Sequence, residues 1–182
     1  EIMESVIKEI GYKGFLYAGI TKSKTGDLKV IEFNCRLGDP ETQAMVMMLK
    51  DSLYKPLSNS IEGRLNPYYV IKIKNGASCC VVLTSQGYPE KYEKGFPIKG
   101  LGEINEFYKN VKVFHAGTKL NDKEEVITDR GRVLDVTSYS PLGIKSAKSD
   151  AYSVVDLLNM WNPGIFHFRK DISDKALKYL GN

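Results

Sequence analysis

The sequence has no apolar run close to the length of a membrane span. A helix that crosses a bilayer needs roughly 18 consecutive apolar residues, whereas the runs at 44–49 and 79–83 end at Lys50 and Thr84. The first residues also lack the basic segment and apolar core of a secretory signal. We therefore expect no membrane association and a cytoplasmic protein.

Cysteine and histidine are scarce, with three and two residues respectively. No C-x-x-C spacing occurs, and the adjacent Cys79 and Cys80 would point to opposite faces of a strand, which suits neither chelation nor an easy disulfide. His115 and His167 have no partner at ligand spacing, so each is expected to be a hydrogen-bonded structural histidine. This usage excludes a zinc-type site and indicates a reducing compartment.

A strongly charged surface is also missing. The 26 basic and 22 acidic residues give a net charge of +4, and no block of five like charges occurs. A mildly basic solvated face accounts for this balance, and we expect no nucleic-acid partner. The alternative, a weak nucleic-acid binder, would show strongly salt-dependent binding.

The two common glycine-rich nucleotide loops are incomplete. Gly95 and Gly100 have the spacing of a P-loop, but Leu101 and Gly102 stand where lysine and serine or threonine are required. The start of a dinucleotide-binding fingerprint at Gly100 fails because Asn105 occupies its third glycine position. The sequence therefore excludes both loops.

Hydrophobic periodicity changes near residues 63–67. Before this point it predicts an amphipathic helix over 1–10, a hairpin of strands at 15–21 and 29–34, and helices over about 40–50 and 51–62. After it we expect strands at 77–85, 112–118, 125–128 and 132–138 and helices at 143–159 and 172–180. The pattern predicts an α+β chain with domains at 1–62 and 63–182.

Polar residues alternate along the second strand of the predicted hairpin. Glu32 and Asn34 project to one face, which places a carboxylate beside an amide oxygen. Such an oxygen pair suits Mg²⁺, which shares its remaining positions with phosphates and water. If the strand persists, Arg36 continues this face and could bind a carboxylate or a phosphoryl group. Alternatively, the three residues form the polar face of a half-exposed strand.

A helix start follows the strand. Gly38 supplies a turn, Asp39 is a candidate N-cap, Pro40 suits the first helical position and Glu41 lies in the first turn. Because α/β proteins often bind ligands where strand ends meet helix N-termini, the turn favours a binding site over a plain polar face.

Residues 32–43 closely resemble the end of the ATP-grasp domain of the phosphoribosylamine–glycine ligases, also called glycinamide ribonucleotide synthetases. Further matching segments lie at 14–19, 86–89, 114–118, 131–134 and 169–172. The resemblance covers nearly the whole chain. It implies the C-terminal part of an ATP-grasp domain, followed by a small antiparallel β-rich domain with two helices.

The resemblance implies a reaction in de novo purine synthesis. ATP phosphorylates glycine, and the amine of 5-phosphoribosylamine attacks the glycyl phosphate to give glycinamide ribonucleotide, ADP and phosphate. By the family pattern, Glu32 and Asn34 hold Mg²⁺ or Mn²⁺ against the ATP phosphates. Arg36 matches a residue near the phosphoryl and carboxylate groups, and Asp39 and Glu41 match the substrate side.

The chain departs from the family pattern in two respects. Residues 15–21 carry no further metal-binding acid, and the family's N-terminal domain, ATP-lid lysines and adenine-binding segment would precede Glu1. We therefore expect the C-terminal part of the enzyme, inactive by itself and needing the missing N-terminal part. The alternative is a non-catalytic docking or binding module that borrows its ATP-binding half from another polypeptide.

Overall fold

The computed structural model describes residues 2–180 and divides into two compact units. The first unit comprises the residues up to 42 together with 49–73, and the second comprises 43–48 together with the chain from 74 onward. No helix among the described residues is both long enough and apolar enough to cross a membrane.

The first unit consists of helices around one hairpin. Helix α1 (Ile2–Ile10) precedes strands β1 (Tyr17–Lys22) and β2 (Leu28–Asn34), and these are followed by the start of α2 (Glu41–Met48) and by α3 (Tyr54–Ile61). The two strands pair antiparallel with a register shift between Gly19 and Ile20. The predicted helix and hairpin are thereby confirmed, except that Glu1 lies outside the described residues.

No described residue of the first unit is fully buried. Large apolar side chains lie in solvent along its hairpin, where Ile20, Leu28 and Ile31 are 58%, 72% and 69% exposed. Ile10, at the end of α1, is 61% exposed. The pairing of the hairpin therefore comes from its backbone ladder and short turn rather than from a packed core.

The second unit is built on a four-stranded antiparallel sheet with the order β4-β7-β3-β8. These strands are β3 (Ala77–Ser85), β4 (Val111–His115), β7 (Arg132–Ser140) and β8 (Phe166–His167). A separate hairpin pairs β5 (Thr118–Leu120) with β6 (Val126–Thr128), and the helices are α4 (Leu101–Phe107), α5 (Ile144–Trp161) and α6 (Asp174–Leu180).

Helix α5 covers one face of the sheet. Alternate residues of β3 and β7 point towards it, among them Leu83 and Val136, which are completely buried. The helix contributes Ala151, Val155 and Leu158 from one stripe, all of them fully buried. Each such aliphatic side chain larger than alanine contributes about 1.5–3 kcal/mol by leaving water, so this contact stabilises the second unit.

Three local features differ from the pattern-based predictions. The strand expected at 112–118 divides into β4 and β5, because Gly117 turns the chain and donates its N–H to the Val133 carbonyl at 3.0 Å. A Cβ at Gly117 would lie 2.2 Å from the Arg132 carbonyl oxygen, so this turn needs glycine. Helix α4 and the two-residue strand β8 were not predicted, since both are too short to show a periodicity.

The cysteines and histidines largely follow expectation. Cys79 is buried, Cys80 is half-buried, and both are reduced thiols on opposite faces of β3. The Nδ1 atom of His115 lies 2.8 Å from the hydroxyl of Thr118, so this histidine is hydrogen-bonded as predicted, though to a side chain rather than to the backbone. His167 is exposed, and its carbonyl accepts a hydrogen bond from a threonine hydroxyl.

Candidate functional site

The β1–β2 hairpin places Glu32 and Asn34 on one face, as their spacing predicts. Their cross-strand partners are Gly19 and Tyr17. A Cβ at Gly19 would lie 3.2 Å from the Cγ of Glu32, so the missing side chain leaves room for the stem of the Glu32 side chain. The sequence analysis did not single out Gly19, although a glycine inside a strand pattern is a signal of close approach.

The Glu32 carboxylate and the Asn34 amide have free oxygen atoms for a ligand. Glu32 is exposed and Asn34 is half-buried. Among residues 2–180, neither side chain has a hydrogen bond or ion pair. The same part of the chain contains no group of three or more histidine, cysteine, aspartate or glutamate residues that could hold a metal ion. The pair thus fits a cation that takes two protein oxygens and completes its shell with phosphate and water, as Mg²⁺ does.

Arg36 lies outside the strand. Strand β2 ends at Asn34, so the condition under which Arg36 was expected to extend the Glu32 face is not met. The exposed guanidinium instead turns towards the following peptide, and its Nη1 donates to the Leu37 carbonyl at 3.2 Å. Because this bond uses one of five N–H donors, the rest of the planar fork remains able to bind an oxyanion.

Gly38 leaves space for the Glu41 side chain at the turn from β2 into α2. A Cβ at this position would lie 2.3 Å from the Oε2 atom of Glu41, because the Glu41 carboxylate folds back over the Gly38 backbone. The backbone N–H of Thr42 donates to the Gly38 carbonyl at 3.0 Å, and the Thr42 hydroxyl donates to the same oxygen. A larger residue at position 38 would therefore displace the Glu41 carboxylate.

The helix start differs in detail from the prediction. Helix α2 begins at Glu41, so Asp39 and Pro40 form a turn before the helix rather than its N-cap and first residue. The first hydrogen bond of the turn is accepted by Gly38, which therefore takes the place predicted for Asp39. Asp39 is exposed at this turn. The candidate residues thus divide into a strand pair and a connecting segment that carries Arg36, Asp39 and Glu41.

Family models match both parts of the chain. The model described as "Phosphoribosylglycinamide synthetase, C domain" matches residues 78–175. The model described as "Phosphoribosylglycinamide synthetase, ATP-grasp (A) domain" matches residues 1–42, which include all five candidate site residues. The chain belongs to the phosphoribosylglycinamide synthetase family.

Individual members of the phosphoribosylglycinamide synthetase family agree over most of the chain. A Synechocystis protein named phosphoribosylamine–glycine ligase is 42% identical over 168 residues, which are 92% of this chain and 38% of that protein. The trifunctional purine biosynthetic protein adenosine-3 of Gallus gallus is 40% identical over 171 residues, or 94% of this chain and 16% of its own. The chain therefore spans well under half the length of these relatives.

A solved structure of a relative has the same fold. The crystal structure of phosphoribosylamine–glycine ligase from Thermotoga maritima superposes with a TM-score of 0.67 at 27% identity and covers 90% of this chain and 37% of that one. The mixed helix and antiparallel-sheet fold expected from the sequence is thereby confirmed.

Tyr12 adds a contact at the base of the hairpin that the sequence analysis missed. Its hydroxyl donates to the Phe15 carbonyl at 2.8 Å and lies 3.5 Å from the Cys35 carbonyl oxygen. Burial raises the pKa of Tyr12 above its ordinary value, and the neighbouring Cys35 adds to the rise. The tyrosine therefore stays protonated at neutral pH and joins the segment before β1 to the segment after β2.

Helix α2 is tied to the second unit by a polar contact between Gln43 and Asp135. The Gln43 amide donates to the Asp135 carboxylate at 2.7 Å, and Asp135 is only 1% exposed on the β7 face opposite α5. The end of the helix is held by Lys74, whose N–H donates to Met48 and whose ammonium donates to Met47. Gln43 lies between the segments matched by the two family models. Its partner Asp135 could have been identified from the sequence, because an acid within an apolar strand is unusual.

Proposed function

We propose that this chain is the C-terminal part of an ATP-dependent ligase that joins glycine to 5-phosphoribosylamine through a glycyl phosphate and releases glycinamide ribonucleotide, ADP and phosphate. The observation that carries the proposal is the oxygen pair of Glu32 and Asn34 on one hairpin face, within the segment that matches the family's ATP-grasp model. The names of the relatives support the same reaction.

Glu32 and Asn34 are the residues that would hold a divalent cation, Mg²⁺ or Mn²⁺. The bound cation would neutralise charge on the ATP phosphates during phosphoryl transfer. The contribution of the chain itself is positional, because β1 and β2 fix the carboxylate and the amide on one face and Gly19 leaves space for the stem of the Glu32 side chain. This pre-organisation lowers the cost of ordering the ligands when the nucleotide binds.

The connecting segment provides charges of both signs for the two substrates. The Arg36 guanidinium matches the planar geometry of a carboxylate or phosphoryl group, which suits the glycine carboxylate and the acyl phosphate formed from it. The carboxylates of Asp39 and Glu41 can accept hydrogen bonds from an amine, and both glycine and phosphoribosylamine carry one. We therefore assign this segment to substrate positioning.

The complete reaction also requires the segments of the relatives that this chain does not cover. Phosphoryl transfer needs groups on several sides of the nucleotide, and the chain covers 38% of the Synechocystis relative. A cytoplasmic location stays a prediction, because the Arabidopsis thaliana relative, 42% identical over 187 residues that make up 97% of this chain and 34% of its own, is named as chloroplastic.

A chimera tests the proposal. The 182 residues replace the matched segment of the Synechocystis ligase, and ADP release is measured with glycine and phosphoribosylamine. We expect glycine-dependent turnover, with Glu32→Gln lowering kcat on the order of tenfold or more because the pair loses its charged ligand. Glu106→Gln, an exposed position in α4, is the matched control and should leave kcat unchanged. Normal turnover of the Glu32→Gln chimera at limiting Mg²⁺ would contradict the assignment.

A further inference from the structure

The second unit contains a cleft between α5 and the C-terminal segment of the chain. Its volume is about 510 Å³, within the range of small-molecule sites. One wall is a stripe of α5 that includes Lys145, Lys148 and Tyr152, and the other is formed by Phe168, Lys170 and the α6 residue Leu177. All of these residues belong to the second unit, and none is among the candidate ligase residues.

The walls of the cleft are fixed by hydrogen bonds and by the core. The Tyr152 hydroxyl donates to the Arg169 carbonyl at 2.6 Å and accepts from the Ile172 N–H at 3.2 Å. Tyr152, Phe168 and Ile172 are partly buried against the hydrophobic core. The aromatic lining is therefore held in place before any ligand arrives, which reduces the ordering cost of binding.

The charges that line the cleft are mainly positive. Lys145, Lys148 and Lys170 line it together with a single carboxylate, that of Asp156. Lys148 forms an ion pair with Asp174, and this hydrogen bond raises the pKa of Lys148, so the ammonium is charged at neutral pH. The same ammonium lies 5.4 Å from the centroid of the Tyr152 ring. Because an ammonium has three donors, Lys148 can bind a ligand while it keeps this pair.

We infer that the cleft binds a small organic phosphate with an aromatic body. The phosphate lies at the lysines, which approach it from α5 and from the segment between β8 and α6, and the body packs against the apolar surface of Tyr152, Phe168 and Leu177. A phosphate carries close to two charges and three accepting oxygens at neutral pH, so it can use donors from both walls together. This inference is independent of the proposed ligase function.

Calorimetric titration of the 182-residue chain with AMP tests the inference. The experiment contains EDTA and no glycine, so that metal-dependent nucleotide binding at Glu32 does not contribute. We expect AMP to bind and adenosine to bind at least about tenfold more weakly, because adenosine lacks the charged group. Added salt should weaken AMP binding, because the lysines are close to solvent.

Four variants locate the binding. Lys145→Gln and Lys170→Gln should each weaken AMP binding roughly fivefold, since each removes one charged donor at an exposed position. Lys175→Gln, an exposed α6 lysine outside the cleft, and Glu32→Gln should leave it unchanged. Absence of AMP binding, equal binding of adenosine, or unchanged binding by both cleft variants would overturn the inference. Loss of AMP binding in Glu32→Gln would also overturn it, by moving the site to the hairpin.

Discussion

The two units use their apolar residues in opposite ways. In the second unit, alternate residues of β3 and β7 are completely buried beneath α5. In the first unit, the hairpin that carries Glu32 and Asn34 leaves Leu28 and Ile31 about 70% exposed, and none of its described residues is fully buried. The candidate site residues therefore lie on the part of the chain with the least core of its own. Burial drives stability, so the second unit should dominate the measured stability.

The largest expected effect comes from removing a core side chain. Leu83→Ala should lower the free energy of unfolding by about 2–5 kcal/mol, because it leaves a cavity between the sheet and α5. Ile31→Ala in the exposed hairpin should change it by no more than about 0.5 kcal/mol. The measurement is urea unfolding followed by fluorescence of Trp161, which packs against the core of the second unit. Similar losses in the two variants would break the comparison.

Gln43 tests how much the part of α2 within the second unit adds to the stability of that unit. Gln43→Ala removes a donor from the buried Asp135 carboxylate and should cost about 1–3 kcal/mol in the same Trp161 experiment. Gln86→Ala, at an exposed glutamine of the second unit, is the control and should be neutral. A neutral Gln43→Ala variant would show that the helix segment adds nothing to the stability of the sheet.

Gly38 tests the opposite case, in which a substitution lowers activity but has little effect on stability. Gly38→Ala places a Cβ where the Glu41 carboxylate lies, so in the Synechocystis chimera we expect turnover to fall on the order of tenfold through misplacement of that group. Gly102→Ala, whose added Cβ would meet no atom within 4 Å, is the matched control for activity. A Gly38→Ala chimera that loses stability but keeps its catalytic constants would contradict the assignment of this turn.

The smallest expected effect is a gain in the free energy of unfolding, from a substitution in the core of the second unit. Thr137 is completely buried, and within the described part of the chain its hydroxyl has no hydrogen-bond partner. Thr137→Val should therefore raise the free energy of unfolding by roughly 0.5–1 kcal/mol. The neighbouring Ser138→Ala should lower it instead, because the Ser138 hydroxyl donates to the Ala147 carbonyl of α5. Destabilisation by Thr137→Val would indicate a polar partner for this hydroxyl.

Local patterns predicted the elements that are long and regular. The hairpin, β3, β7 and α5 follow from apolar alternation or helical spacing, and α2 follows from the residues that start a helix at 39–41; both signals depend only on neighbouring residues. The shared face of Glu32 and Asn34 follows from strand geometry for the same reason. The proposed reaction came from the resemblance to the ligases, because the periodicity of a sequence carries no information about a reaction.

Contacts between distant residues could not be predicted in the same way. Gln43 and Asp135 are 92 positions apart, and nothing in the local sequence of either residue specifies the other. The position of Arg36 depends on where β2 ends. The end of β2 is set by its pairing with β1, and the last pair joins Asn34 to Tyr17, the first residue of β1. The fold of Glu41 over Gly38 similarly depends on turn geometry that composition alone does not fix.

The close approach of two glutamate side chains to glycine backbones has a genetic consequence. At Gly19 and Gly38 the space of the absent side chain is used by Glu32 and Glu41. Every codon change that alters either glycine adds at least a Cβ, which displaces the glutamate beside it. An added Cβ would lie 2.3 Å from the Oε2 atom of Glu41 at Gly38, but 3.2 Å from the Cγ atom of Glu32 at Gly19. In a saturation-mutagenesis map of the active chimera, substitutions at Gly38 should therefore lower activity more than the same substitutions at Gly19.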